Sequence, residues 1–338
     1  VSDVDRLLVR APNWVGDVVL SLPALRDLRR NFPEARMEVL ARRRVADLYG
    51  AVAEVDAVRA FDTPGEAVEA ARGFDLAVLL PNSFAAAWQV FRARVPQRWG
   101  RATDGRGLLL TRAVGETSGI LGRSQVYYYR AMVAGLGLAV SASPDAGLRC
   151  PAEWRSAGER LLGAGDAWVG LTPGASFGPA KRWPAPRYAA LGDALAGRGF
   201  RVVLLGSPAE ASLSARVASG MLHPPLDLTG RTSLPALLGV LSALRLLVTN
   251  DSGPMHLAAA LGTPLVAVFG PTDERETAPV SDRVRLVRQP VSCAPCLLRE
   301  CPIDHRCMRG VDADRVTAEA LAFLAPSAGG PSLRTGPA

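Results

Sequence analysis

Of the 39 lysines and arginines in this 338-residue sequence, a single one, Lys181, is a lysine. The arginines are scattered through both halves and form neither a basic helix nor a recognition motif, so the net charge of +7 does not describe a nucleic-acid-binding protein. Anionic lipid or a phosphorylated substrate would suit the same arginines, and composition does not choose between them. Long apolar runs are lacking too. The longest, Met255 to Phe269, is broken by Gly262, Thr263 and Pro264 and reads as helix, turn and strand rather than a bilayer span of about 20 residues. The first residues carry Asp3, Asp5 and Arg6 ahead of Pro12, without the basic head, apolar body and small-residue cleavage site of a signal peptide. The expectation is a cytoplasmic protein without a transmembrane segment. Two glycine signatures are also missing. No Gly-x-Gly-x-x-Gly follows the first strand, which removes the usual nicotinamide-dependent dehydrogenase, and no Gly-Lys-Ser/Thr marks a Walker loop.

What is present describes a folded α/β protein. Hydrophobic residues make up 49% and charged residues 21% of the chain, a globular composition, and the length suits two domains. Runs rich in aliphatic and β-branched residues, 6–11, 36–41, 55–61 and 74–81, alternate with helical patterns at 16–31 and 83–94, as in βαβ units. From about Cys150 the alternation starts afresh, with strands at 168–172, 201–206, 225–228, 246–250 and 265–269 and helices between them. The reading is two facing, doubly wound Rossmann-like domains, residues 1–150 and 151–325, with a linker near Ser141–Pro151. A last helix runs from Asp312 to about Leu324, free to pack back on the N-terminal domain, and 326–338 is expected to be a disordered tail. Ligands of such folds bind beyond the carboxyl ends of the strands.

Polar motifs fall at those ends. After the first strand comes Ala11-Pro12-Asn13-Trp14-Val15-Gly16-Asp17; Asp17 there is either a first-turn partner of the helix dipole or a general base for a hydroxyl. The second domain opens with Thr172-Pro173-Gly174-Ala175-Ser176-Phe177-Gly178-Pro179-Ala180-Lys181-Arg182-Trp183-Pro184. Its small residues, the Ser176 hydroxyl and the compact charge of Lys181 suit a diphosphate. Glu210, in the first turn after the next strand, is either a cap or a ribose ligand. In Asn250-Asp251-Ser252-Gly253-Pro254-Met255-His256, the amides of Ser252 and Gly253 open a helix toward phosphate, and Asp251 and His256 have sugar-binding chemistry.

These three ordered motifs resemble the ADP-heptose:lipopolysaccharide heptosyltransferase family, closest to its heptosyltransferase II branch, over about residues 6–325. The resemblance implies a GT-B fold and an inverting transfer of L-glycero-D-manno-heptose from ADP-heptose to a heptose of the lipopolysaccharide inner core. It makes Asp17 the base, Ser176 and Lys181 diphosphate ligands and Glu210 a ribose ligand. Asp251 and His256 then hold the donor sugar, while Ser252 and Gly253 offer amides to phosphate. No cofactor is implied for transfer. The acceptor, at a membrane surface, leaves open a peripheral place on the inner face of the inner membrane. Arg42, Arg43 and Arg44, with Arg98, Arg101 and Arg106, are candidates for acceptor phosphates and carboxylates, or else members of a solvated basic face. The alternatives are a relative using another nucleotide sugar or core acceptor, and a nucleotide-binding protein without catalysis.

Cys293, Cys296, Cys301 and Cys307 form a C-x2-C-x4-C-x5-C cluster around His305, with Cys150 far away. In a cytoplasmic protein this density points to metal or redox chemistry before disulfides. A structural zinc or iron–sulfur site and reduced thiols bracing an irregular loop are the two readings.

Overall fold

The computed structural model describes residues 4–115, 124–144 and 146–325; the expected tail, 326–338, lies outside them. The first half holds β1 (Arg6–Arg10), β2 (Arg36–Arg42), β3 (Ala57–Phe61), β4 (Leu76–Leu79), β5 (Gln97–Arg101) and β6 (Arg112–Val114). All pair in parallel, in the order β3-β2-β1-β4-β5-β6. The second half repeats the plan with β7 (Trp168–Thr172), β8 (Arg201–Leu204), β9 (Leu226–Asp227), β10 (Leu246–Asn250), β11 (Leu265–Phe269) and β12 (Val284–Arg288). Its order, β12-β11-β10-β7-β8-β9, is the same winding. Each sheet reverses direction between its first and fourth strands, and a crevice opens at the carboxyl end of such a switch point.

Burial follows the two-residue period of a strand covered on both faces. Leu7 and Val9 of β1 enter one core with Val18, Leu22 and Leu25 of helix Val15–Asn31. Leu8 points the other way, into a core with Phe61, Leu79 and Val90. In the second sheet, Leu246 and Val248 share a core with Trp183 and Tyr188, while Leu247 belongs to the cluster that contains Leu7 and Leu22. One apolar cluster therefore crosses from half to half.

That crossing brings two helix N-termini face to face. Helix Val15–Asn31 packs along helix Gly253–Ala260, so tightly that a Cβ on Gly16 would lie 2.9 Å from Cδ2 of His256. The connection is pinned at both ends: Ser141 N donates to buried Asp27 at 2.9 Å, and Leu148 N donates to Ala260 O at 2.7 Å.

Three strands carry too weak a pattern to be legible in the sequence. β5, β6 and β12 are short and carry two, one and two arginines, so their apolar signal is diluted. The last helix, Ala313–Leu324, packs on β10, β11 and helix Ala185–Ala196 of its own half. It does not return to the N-terminal domain, because Val316, Ala320 and Leu324 complete the core under the second sheet. Among the described residues no helix is long and apolar enough to cross a membrane.

Candidate active site

The segments after β1, β7 and β10 meet across a cavity of about 470 Å³ between the halves. Trp14, Gly16, Asp17 and Gln125 line one side; Ser176, Phe177, Lys181, Asp251, Ser252, Gly253, His256, Thr277 and Arg299 line the other. A groove of about 590 Å³ near the linker is larger, but it lies away from these motifs.

Asp17 sits in the first turn of its helix, half-buried. Its carboxyl takes no hydrogen bond from the described residues, so it does not cap the helix by a side-chain bond. Burial raises its pKa above the ordinary aspartate value, and the charge of Lys181, from the opposite half, partly offsets that rise. A carboxylate held apart from donors and biased toward taking up a proton has the character of a base.

Lys181 is buried and pairs with Asp251, Nζ to Oδ2 at 2.6 Å. The same oxygen accepts from Thr272 Oγ1 at 2.6 Å and Thr277 Oγ1 at 3.3 Å. With three donors on that oxygen, Asp251 holds the lysine in place. The Phe177 ring lies between two cations, Lys181 Nζ at 4.9 Å and Arg299 Cζ at 5.2 Å from its centroid. Behind this loop, fully buried Asn250 uses its whole amide. Its Oδ1 accepts from Trp183 N and the Tyr188 hydroxyl, each at 3.1 Å, and its Nδ2 donates to Pro173 O and Gly174 O at 2.8 and 3.1 Å. Asn250 thereby ties the Lys181 loop to the end of β10.

Ser252 caps helix Gly253–Ala260 in an extended conformation, with Pro254 in the first turn, which needs no amide. Ser252, Gly253 and Pro254 line the cavity, and a Cβ on Gly253 would lie 3.4 Å from Cβ of Val15. His256 is buried, and its Nδ1 has no hydrogen-bond partner among the described residues. Burial lowers its pKa to about 4, so the imidazole is neutral. Between about pH 6.5 and 4 the unfolded chain takes up a proton that the folded ring refuses, and stability therefore falls with falling pH across that window. The loss is on the order of 3 kcal/mol. Urea midpoints measured at pH 7 and pH 4.5 should drop more for the parent than for His256→Gln.

Glu210 is not at the cavity. Its Oε2 accepts from Ser207 N and Oγ, both at 2.8 Å, in a capping box, while Oε1 crowds Gly174, where a Cβ would approach to 1.9 Å. The cap and a place beside the Lys181 loop are realised together. The arginines divide sharply. Arg101 and Arg106 are buried, donating to Tyr128 O and to Arg101 O, Pro81 O and Asn82 Oδ1. Arg98 donates to Leu109 O and Val95 O. Arg42 and Arg43 turn to Asp62. These five arginines are occupied inside their own domain. Arg44 alone of the group reaches the cleft wall, donating to Asn13 O at 3.1 Å with its guanidinium over Trp14.

Arg299 is a cavity residue that no sequence motif marks. It enters from the cysteine-rich loop, which braces the Lys181 loop: Ala180 N donates to Arg299 O at 3.0 Å, and His305 Nε2 lies 2.6 Å from Ala180 O. Cys293, Cys296, Cys301 and Cys307 line one apolar cavity of about 100 Å³ with His305. All are free thiols, and burial raises the pKa of Cys307. Among the described residues no three His, Cys, Asp or Glu are grouped to hold a metal ion, so the expectation of a zinc or iron–sulfur site has no support.

Two like-wound Rossmann-like domains facing a charged cleft define the GT-B class of glycosyltransferases. The profile described as "Glycosyltransferase family 9 (heptosyltransferase)" matches residues 69–306, and the chain belongs to that family. It is 32% identical over 306 residues to lipopolysaccharide heptosyltransferase 2 of Salmonella typhimurium, covering 84% of this chain and 88% of that protein. It is likewise 32% identical over 311 residues to lipopolysaccharide heptosyltransferase 2 of Escherichia coli, with the same coverage of each chain. The solved structure of E. coli ADP-heptose lps heptosyltransferase II is similar with a TM-score of 0.80 at 28% identity, covering 94% of this chain and 98% of that one.

Proposed function

We propose that this heptosyltransferase of the lipopolysaccharide core moves L-glycero-D-manno-heptose from ADP-heptose to an inner-core heptose by direct displacement, with Asp17 as general base. The observation that carries this reading is that the Asp17 carboxyl and the Lys181 ammonium, from opposite halves, line one cavity and feel each other's charge. An acceptor hydroxyl beside Asp17 gives up its proton to the carboxylate as its oxygen attacks the anomeric carbon. The bond to ADP breaks on the opposite face, so the configuration inverts. Negative charge then grows on the departing diphosphate. It is met by Lys181, by Arg299, by the Ser176 hydroxyl and by the amides of Ser252 and Gly253. Neutral His256 lines the same cavity and would meet a donor-sugar hydroxyl there, and Glu210, beside Gly174, the ribose.

The acceptor's lipid nature suits work at the inner face of the inner membrane. A non-catalytic nucleotide-binding protein would have no use for a partly desolvated, hydrogen-bond-free acid at position 17. Purified protein supplied with a core acceptor and a panel of ADP- and UDP-sugars should form product from ADP-heptose. ADP binding without turnover of any donor would favour the non-catalytic reading, and turnover of a different sugar would reassign the donor.

A further inference from the structure

Helix Phe84–Arg92 shows solvent a face that an ordinary surface helix does not. It buries Ala86, Ala87, Gln89 and Val90 against its sheet, yet its outer side is aromatic, with Phe84 48%, Trp88 43% and Phe91 42% exposed. Spaced four and three residues apart, these rings form one stripe. They stack in succession, with centroids 6.3 and 5.7 Å apart. The turn Arg106–Leu109 packs beside the helix and leaves Leu108 96% exposed. A polar face is the rule at such a position, and a continuous apolar patch on a surface marks something that binds there.

The charges around the stripe identify what binds. From residue 82 to 114 the sequence has six arginines and one acid, Asp104. Arg101 and Arg106 are buried, which leaves Arg92, Arg94 and Arg112 exposed and Arg98 half-buried. None of these four makes an ion pair among the described residues. The Arg92 guanidinium sits 5.8 Å from the Trp88 ring and that of Arg98 5.5 Å from the Phe91 ring, so cations border the aromatics. A second copy of this chain would bring like charges together. A bilayer surface with anionic headgroups offers the complement of both features: a headgroup layer for aromatic rings and phosphates for arginine.

We propose that Phe84, Trp88, Phe91 and Leu108 insert shallowly into an anionic lipid bilayer, with Arg92 and Arg94 on the lipid phosphates. The helix begins at the carboxyl edge of β4, next to β1, whose carboxyl edge carries Trp14 and Asp17. Docking by this face sets the acceptor side of the cleft at the membrane; this step rests on the proposed lipopolysaccharide acceptor, whereas lipid binding itself does not.

The test is sedimentation of the full chain with vesicles of phosphatidylglycerol and phosphatidylethanolamine, and with phosphatidylcholine alone. The parent should bind the anionic vesicles. The triple change Phe84→Ser, Trp88→Ser, Phe91→Ser and the double change Arg92→Glu, Arg94→Glu should each weaken that binding by roughly tenfold or more. Both variants should keep the parent's rate on a delipidated, water-soluble core acceptor, which shows that they are folded, and should slow on an acceptor embedded in vesicles. Failure of the parent to bind anionic vesicles, equal binding by parent and variants, or a dimer of the parent that the triple change dissolves would each overturn the proposal. Absence of transfer to any acceptor would count against the functional reading alone, because vesicle binding is read without turnover.

Discussion

Asp17→Ala should lower kcat by about 10²- to 10⁴-fold, the range for loss of a general base, while ADP affinity stays within about twofold. Asp17 belongs to the N-terminal half, and the cations and amides proposed to meet the diphosphate belong to the other, so removing the carboxyl leaves that proposed cradle whole. Asp17→Asn sharpens the test. Burial has raised the carboxyl's pKa, which means the fold disfavours the charged form. Above that pKa, stability has been lost relative to an uncharged side chain, because the native state held its proton more tightly than the unfolded chain did. The amide should therefore unfold no more readily than the parent at pH 7, and slightly less so in denaturant, while being nearly inactive. The parent's own rate should fall as pH drops through the Asp17 pKa, at a pH above that of an ordinary aspartate, and this limb should be missing from the residual rate of the variants. Parent-like turnover by Asp17→Ala would remove the base from the mechanism.

Lys181→Ala should weaken ADP-heptose binding on the order of 100-fold, as the loss of a well-placed charge-assisted contact does, and it should also destabilise the fold. The second effect comes from Asp251, which is buried and would keep only the hydroxyls of Thr272 and Thr277. Breaking a buried pair from one side typically costs about 3 to 5 kcal/mol. Adding Asp251→Asn to Lys181→Ala removes the stranded charge and should recover much of the stability without recovering donor affinity. Calorimetric titration with ADP beside urea unfolding separates the two roles. Parent-like ADP affinity in the double variant would show that Lys181 is only the counter-ion of Asp251. Lys181→Arg should not rescue, since the longer planar guanidinium does not fit the site shared by Asp251, Thr272 and the Phe177 ring.

The solitary lysine shows how far local patterns reach. Its rarity among arginines singles out position 181 on composition alone, but its partner, 70 residues on, stands in the sequence only as a separate motif. Asp251 has the chemistry of a sugar ligand, and in the fold its Oδ2 is taken by Lys181 and two threonines. Arg98, Arg101 and Arg106 show the opposite limit. A long flexible side chain reaches several ångströms from its backbone, and whether it ends in solvent or on a buried carbonyl depends on loops remote in sequence. Arg106, fully buried against Pro81 and Asn82, cannot be told from Arg44 at the cleft by any local feature. Arg299 is hidden for the same reason, inside a segment whose cysteines draw attention to metal chemistry.

By itself the sequence determined the alternation of strands and helices, the doubling of one winding and the three motifs at strand ends, because hydrophobic period and turn chemistry are local properties that act ahead of any distant contact. Only the tertiary structure decided which charges meet: Asp17 across from Lys181, Lys181 on Asp251, His256 against Gly16, and an aromatic stripe turned outward beside the cleft. Those outcomes are set by packing between segments far apart in the chain, where a side chain's direction, burial and partners are fixed together by the closing of the two halves.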